Sequence, residues 1–523
     1  MTTTMAKRWR TSRPAALPLA APVAVLALLM SPQCRADWSI TPSVDLRGTY
    51  SDNVKLEADQ LARGQFITDL APSLSIANHG PRLKLTAAFT THLYAYSNQR
   101  LDGTNSSQRQ LAANARARLV EDLLFFDATA AIAQQAISAF GPQVANNGYA
   151  GTNRAEVSTW RLSPYLAHRF GSTATAELRY ARDSVKSGNA GLGDSIGNTV
   201  STSISSGAAF RTIGWGLQAS HQNLDSTRGG KSTADAASAR LSWRVSESLR
   251  LNANGGYDKY DYKALEGATA GPSYSIGLAW APSLRTQVQA SAGKRYFGDS
   301  YAFEATHRSR HSVWSINYND AVTTTRGQFL QPVAVDTAAL LNGLFSATIS
   351  DPVARQQAVD AYIRSNALPA TQIQNTNAFS NRYFLQKQFR ASAAFNTART
   401  VTLFSLNATK RNALSIRQAA IGLPGNSRSE LNDNTKQASA AVSLNYKMSQ
   451  RSGATLMVSK TRTESLTTGQ RDDQLLLNLG MTRQLQQKLK GAIELRRARG
   501  NALTLGGRTY RENALTASLS YQL

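Results

Sequence analysis

Apolar side chains at every second position, in stretches of 10 to 14 residues that recur to its end, constrain this 523-residue chain more than any other feature. Leu83, Leu85, Ala87, Phe89, Thr91, Leu93 and Ala95 form one face of such a stretch, with Arg82, Lys84, Thr86, Thr90, His92 and Tyr94 on the other. Ala237, Ala239, Leu241 and Trp243 alternate with Arg240, Ser242 and Arg244; Leu249, Leu251 and Ala253 alternate with Arg250, Asn252 and Asn254. Successive side chains of a strand point to opposite faces, so this period specifies strands with one apolar and one polar side. Strands of soluble sheets run mostly to about 5 or 6 residues, whereas tilted membrane-spanning strands need about 9 to 11. The stretches are long enough to cross a bilayer.

The connectors sort into two kinds. Short turns are expected at 78–81, 120–122, 170–172, 212–214, 245–248, 282–284, 319–321, 397–399, 448–451 and 485–486. Longer polar loops are expected near 51–66, 97–107, 136–153, 186–196, 226–233, 262–270, 298–303, 325–379, 413–433, 465–471 and 499–509. Ten short and eleven long connectors join 22 strands, within a range of 20 to 24, and leave both termini on the short-turn side. Short turns at one end, long loops at the other and an even strand count describe an outer-membrane barrel. The expected fold class is all-β, a transmembrane antiparallel up-and-down β-barrel. A row of soluble β-sandwiches would also alternate, but its connectors would not sort by side, and no linker or composition break divides the chain. The last stretch, Leu515, Ala517, Leu519, Tyr521 and Leu523, resembles the terminal strands read by barrel-assembly machinery, although Leu523 stands where an aromatic is usual.

Composition fits this reading. Mean hydropathy is −0.33, and no window of about 20 apolar residues occurs after the first forty, which excludes a polytopic helical membrane protein. Charged residues make up only 17%; Ser, Thr, Asn, Gln and Gly supply the polarity, as a wall with one water-facing side requires. The N-terminus has the layout of a secretory signal peptide: Lys7, Arg8, Arg10 and Arg13, then apolar residues to Met30, then small residues before a cut after Ala36. Removing residues 1–36 leaves 37–523 as the barrel, takes away the single cysteine, Cys34, and lowers the net charge from +25 to +20, with 53 basic residues against 33 acidic. An exported chain meets no nucleic acid, so the expected partners are outer-membrane lipid, the assembly machinery and an anion.

The polar faces are rich in cations. Arg82, Lys84, Arg116, Arg118, Arg240, Arg244, Arg250, Arg295, Arg382, Arg390, Lys488, Lys490 and Arg496 are the positions expected to face the lumen and contact anions. Acids such as Glu177, Asp258 and Glu494 are fewer. A low-dielectric wall lined by one sign of charge concentrates counter-ions; the same cations near strand ends could instead meet lipid headgroups or pair for stability. Trp215, Trp243, Trp280, Tyr257, Tyr274 and Tyr446 are expected in interfacial girdles. One loop breaks the period of two. Across 330–377 the spacing turns helical, through Val335, Ala338, Leu341, Leu344 and Phe345, then Val353, Ala358, Ala361, Tyr362 and Ile363, with helix starts at Asp336 and Asp351-Pro352. An insertion this long is a constriction or lid if folded inward and a docking cap if folded outward.

Catalytic patterns are sparse. Gly193-Asp194-Ser195-Ile196-Gly197 has Gly-x-Ser-x-Gly spacing but falls at an expected outer loop rather than at a strand-to-helix elbow, and there is no His-Glu-x-x-His. His307 and His311 could share a face, and Asp183 and His168 are available to a rim-located hydrolase, but no spacing selects them. No metal or cofactor is expected. No plug domain or coupling box precedes the first strand, so an energy-coupled receptor is not expected.

Trp38-Ser39-Ile40-Thr41-Pro42-Ser43-Val44, followed by Tyr50-Ser51-Asp52-Asn53-Val54 and then Ala71-Pro72-Ser73-Leu74, resembles an uncharacterised barrel family associated with PEP-CTERM/exosortase systems. The helical insertion is similar to that family's. The resemblance implies a role beside exopolysaccharide-export machinery. The expected function is a non-enzymatic channel for exopolysaccharide or another anionic solute. A structural barrel that binds envelope partners, including export proteins, through its loops is the alternative, and a rim-located hydrolase is a third.

Overall fold

The structure, a computed structural model, describes residues 38–523 apart from parts of the outer connectors, chiefly 142–148, 331–335, 364–381, 416–433 and 503–507. The expected signal peptide, residues 1–36 with its cut after Ala36, lies outside the described residues. The alternating stretches fold as β1 (Trp38–Ser51), β2 (Gln65–His79), β3 (Leu83–Tyr96), β4 (Ser107–Val120), β5 (Leu124–Ala136), β6 (Arg154–Phe170) and β7 (Ala174–Ser187). They continue as β8 (Ser195–Ser206), β9 (Ile213–Ser226), β10 (Gly230–Arg244), β11 (Leu249–Tyr260), β12 (Ala270–Ser283), β13 (Thr286–Arg295), β14 (Gly298–Arg308) and β15 (Ser312–Thr324). Two helices, α1 (Thr325–Leu330) and α2 (Asp336–Phe345), precede β16 (Tyr383–Asn396). The rest are β17 (Thr400–Ala413), β18 (Thr435–Lys447), β19 (Ser452–Ser465), β20 (Arg471–Gln484), β21 (Leu489–Ala502) and β22 (Arg508–Gln522).

Each strand pairs antiparallel with its neighbours in sequence, and β1 pairs with β22, so the 22-stranded sheet closes into a barrel without a free edge. A strand of 14 residues, rising about 3.3 Å per residue and tilted by about 40°, spans about 35 Å and so exceeds the apolar band of about 25 Å. The register settles which face is which. Leu46 lies opposite Leu70 and Leu519, and all three are exposed, as are Leu515 on β22 and Leu495 on β21. Positions of the opposite alternation face inward: Ser51, Asp69, Ala498 and Glu512 are buried. Large apolar side chains exposed around a closed sheet have only lipid to bury them. Trp243, Trp280 and Tyr446 stand on the outer face near the short turns, and Tyr257 and Tyr274 on the same face toward the long loops. Their positions mark two interfacial girdles. The protein is an outer-membrane β-barrel of a Gram-negative bacterium.

Two of the expected connectors are corrected. No turn lies at 319–321; the chain turns at 309–311, and 319–321 is inside β15. Ser309-Arg310-His311 carries no Gly or Pro to signal a turn, while Asn319-Asp320 mimics one. Asp320 stays in the strand because its carboxylate accepts the Tyr301 N–H at 3.3 Å and meets Lys387 at 3.8 Å. Likewise 298–303 is no loop but the start of β14, joined to β13 by residues 296–297 alone. The wall is therefore low at β13 and β14, which are 10 and 11 residues long. The neighbouring loop leans across toward β17, bridging Ala264 to Ser415. Tyr260, Tyr262, Tyr296 and Tyr383 pack together beside it, Tyr262 stacked on Tyr383 with ring centroids 4.6 Å apart.

Candidate functional site in the barrel lumen

The described part of the helical insertion is folded into the barrel. It starts at Thr325, five residues earlier than the periodicity implied, and the expected start at Asp336 is the first residue of α2. The second expected start, Asp351-Pro352, lies outside the described residues, although Val359, Tyr362 and Ile363 beyond it are helical. Leu340, Leu341, Leu344 and Val359 form a buried cluster with Ala394, Val401 and Leu403, and Val313 packs against it. These four wall residues are on the inward face, in the halves of β15–β17 nearest the short turns. Gly343 sits so close that a Cβ there would come within 3.2 Å of Val313. Arg308, at the periplasmic end of β14, donates to Ser346 Oγ at 2.6 Å. A loop that leaves the extracellular rim thus reaches the periplasmic end of the lumen.

Its first turn is tied to a distant part of the wall. Arg326 of α1 is buried, pairs with Asp183 of β7 and donates from Nε to Ser195 Oγ of β8 at 2.7 Å. Gly197 of β8 leaves room for this contact, since a Cβ there would stand 2.8 Å from the guanidinium. Phe329 and Leu330 pack on Ala155, Val157 and Val185. Gln328 hydrogen-bonds Gln386 of β16 and Arg411 of β17 on the other side. The mouth is crossed by a segment anchored at both ends.

A second set of loops closes the mouth over the seam between first and last strands. Val54 and Leu56, from the β1–β2 loop, and Tyr149, from the β5–β6 loop, join Ile67, Ala498 and Tyr510 in one buried cluster. Glu512 is its polar centre: it accepts from Ser51 Oγ at 2.7 Å, Arg496 Nη2 at 2.8 Å and Tyr149 Oη at 3.3 Å. Burial pushes the Tyr149 hydroxyl up to about 12, Arg496 opposing and Glu512 adding to the shift. Asp52 accepts from both the backbone and the side-chain nitrogen of Asn513 at 2.7 Å, and Asn53 Nδ2 donates to the Arg511 carbonyl at 2.9 Å. The Tyr50–Val54 motif therefore fastens the first strand to the last.

The expected lumen cations divide by what holds them. Arg82 and Lys488 fall in short turns just before β3 and β21, and Arg382 immediately precedes β16 at the outer rim. The other ten have inward register. Arg496 is locked to Glu512 with side chains 3% and 0% exposed, and Arg295 to Asp258 at 2.9 Å. Arg116 meets Asp127 at 3.0 Å, a carboxylate shared with Arg179, which also binds Glu177 at 2.8 Å. Arg118 reaches Glu121 at 3.7 Å. Arg390 lies opposite Asn317 and Asn407, and Lys490 opposite Gln484 and Ser520. Lys84, Arg240, Arg244 and Arg250 are exposed on the inward face, with no carboxylate at ion-pair distance among the described residues. Lys84 lies directly opposite Arg116, and Arg244 directly opposite Arg250, close to the short turns. Like charges facing each other across a ladder repel. In contrast, the inward Asn407, Ser439, Ser443 and Asn445 of β17 and β18 are buried. One side of the lumen is filled; the side carrying β10 and β11 presents solvated cations.

Sequence reasoning missed the His92–Asp69 pair, in which Nδ1 lies 3.0 Å from a buried carboxylate; the two residues sit on adjacent strands 23 positions apart. No described nucleophile approaches the imidazole. Asp183 and His168 stand at opposite ends of the barrel wall, and Asp183 is occupied by Arg326. His307 lies on the outer face, with Nδ1 2.9 Å from Thr286 Oγ1. Among the described residues no three metal-ligating side chains converge.

No family model matches this chain, and no curated protein does. Among solved structures, it is similar to the siderophore receptor PirA from Pseudomonas aeruginosa, with 9% identity over 92% of this chain and 80% of that one and a TM-score of 0.46. It is also similar to PirA from Acinetobacter baumannii, at 7% identity over 93% and 80% with a TM-score of 0.47. The FrpB iron transporter from Neisseria meningitidis shares 8% identity over 93% of this chain and 82% of its own, with a TM-score of 0.47. Likenesses this distant carry nothing about the chemistry of the lumen.

Proposed function

We propose that the barrel is a non-enzymatic passage for an anionic solute or acidic exopolysaccharide, serving a PEP-CTERM/exosortase-type surface system. The observation that carries this reading is the exposed inward group Arg240, Arg244 and Arg250, with Arg244 facing Arg250 across the ladder and no carboxylate at ion-pair distance among the described residues. An anion in the lumen relieves that repulsion, and the low-dielectric wall concentrates it there. The resemblance of the Trp38–Val44 and Tyr50–Val54 segments supports the pathway assignment. The insertion acts as the constriction, since it spans the mouth and reaches the periplasmic end of one wall.

Planar-bilayer recording tests this. The full barrel gives small, anion-selective currents, and deletion of 330–377 enlarges them while keeping the selectivity. Absence of anion selectivity in both forms sinks the proposal. The loops fastened over the seam favour one second reading, a structural barrel that binds envelope partners and conducts nothing. That reading predicts no current from either form.

A further inference from the structure

The outer face carries a cationic surface of its own. In the extracellular halves of β17–β22, Lys410, Lys436, Lys460, Arg462, Arg471, Arg497, Arg499 and Arg511 all have the outward register of Leu406, Val442, Leu477 and Leu495. Three of the eight are neutralised: Arg462 by Asp473 at 2.7 Å, Arg471 by Glu464 at 3.0 Å and Arg511 by Asp59 at 3.1 Å. Lys410, Lys436, Lys460, Arg497 and Arg499 are exposed and have no carboxylate within ion-pair distance among the described residues. Lys410 lies directly opposite Lys436, whose other neighbour, Glu464, is taken by Arg471, and Arg499 lies directly opposite Arg511. Elsewhere at this level Arg109, Lys294 and Lys387 have acids, in Glu156, Asp299 and Asp320. Arg182 and Lys186 of β7, Lys231 of β10 and Lys259 of β11 are exposed without an ion pair among the described residues, but cations there are fewer per strand than on β17–β22.

Height on the wall identifies what meets this surface. Arg497 is two residues beyond the lipid-facing Leu495 and Lys460 two beyond Val458, with the exposed Leu477 and Leu475 of β20 beside Arg497 and Arg499, so the group straddles the upper edge of the apolar band. Side chains at that level, on the long-loop end, face the headgroup layer of the outer leaflet. Lysines and arginines there repel one another in water and gain only if multivalent anions sit between them.

We propose that β17–β22 form a binding site for the phosphorylated glucosamine headgroup of a lipid A-class glycolipid, with Lys410 and Lys436 around one phosphate and Lys460, Arg497 and Arg499 around another. The site is independent of what the lumen carries. The bound lipid would hold this side of the barrel upright in the outer leaflet and shield its like-charge pairs.

Native mass spectrometry of the full barrel in detergent, with bis-phosphorylated lipid A, its dephosphorylated form and phosphatidylglycerol as separate probes, tests the assignment. Bis-phosphorylated lipid A is expected to stay bound, and the other two to dissociate. With each cation near an anionic headgroup contributing about 1 kcal/mol, the triple variant K410Q/K436Q/R499Q is expected to weaken retention about a hundredfold. K410R/K436R/R499K should retain it. Equal retention by the glutamine variant overturns the site, as does equal binding of phosphatidylglycerol or displacement by millimolar inorganic phosphate. Should the glutamine variant fail to reach its folded, heat-modifiable form, the comparison of the three lipids on the unaltered protein still decides.

Discussion

Removing the Glu512 carboxylate separates a structural from a transport role for the most buried of the lumen cations. Glu512 and Arg496 have side chains 0% and 3% exposed, so their interaction carries no discount for solvent screening. In Glu512→Ala the Arg496 guanidinium loses a two-point contact at 2.8 and 3.2 Å, and Ser51 and Tyr149 lose their acceptor. Stranding one member of such a pair costs about 3–5 kcal/mol. With a urea dependence of about 3 kcal/mol per molar, the unfolding midpoint in lipid vesicles falls by about 1–2 M. Arg496→Met costs a similar amount for the converse reason. The double variant Arg496→Met/Glu512→Leu, which replaces the pair by apolar volume, should lose no more than either single change. Strictly additive losses in the double variant, or single losses under about 1 kcal/mol, would refute a closed pair and return Arg496 to the anion path. Anion selectivity should not move in any of the three.

Arg240→Gln/Arg244→Gln/Arg250→Gln should do the opposite: the reversal potential under a salt gradient shifts toward cation selectivity, while the urea midpoint stays or rises slightly as repulsion is relieved. Asp183→Asn unpairs the buried Arg326 and loosens α1, so limited proteolysis should cut the 325–382 connector faster in the variant, and equal rates would show the tether to be idle. Tyr149 and Tyr362, both raised to about 12 by burial, should ionise well above an exposed tyrosine, seen as absorbance missing near 295 nm until the pH approaches that value. The folded form then binds more protons than the unfolded one above the ordinary phenol range. Their contribution to stability is thus intact below about pH 10 and lost as the pH climbs toward 12. Gly197→Val should reproduce the Asp183→Asn phenotype by steric means, because its side chain would meet the Arg326 guanidinium.

Strand identity was legible because burial on one face of a closed wall imposes a period of two, and no other feature of a sequence survives 22 repetitions so plainly. The failures fall where local signals and tertiary contacts disagree. Asn319-Asp320 reads as a turn until Lys387, 67 positions later, supplies the counter-charge that keeps Asp320 in a strand. The insertion showed its helical period, but an amphipathic helix does not say which wall buries it. That depends on Ala394, Val401 and Leu403, inward residues that look like any other small or aliphatic strand positions. The cations were legible as residues and illegible as charges. Arg326 and Asp183 are 143 positions apart and Arg179 and Asp127 are 52 apart, so only the closed topology shows which cations are already neutralised.

The distribution of neutralised and open cations constrains how the barrel can work. Buried pairs sit where loops must stay put, Arg326–Asp183 at the crossing segment and Arg496–Glu512 at the seam, and the half-buried Arg295–Asp258 pair stands at the low wall. A buried pair resists separation because either partner alone would be stranded in low dielectric. Motion that opened the mouth by releasing α1 would have to break such a contact, whereas a path along β10 and β11 breaks none. On the proposed passage role, movement beside the insertion costs less than its expulsion. On the same proposal, the exposed Arg244 and Arg250 lie on the cheaper path, at the end an anion entering from the periplasm would meet first.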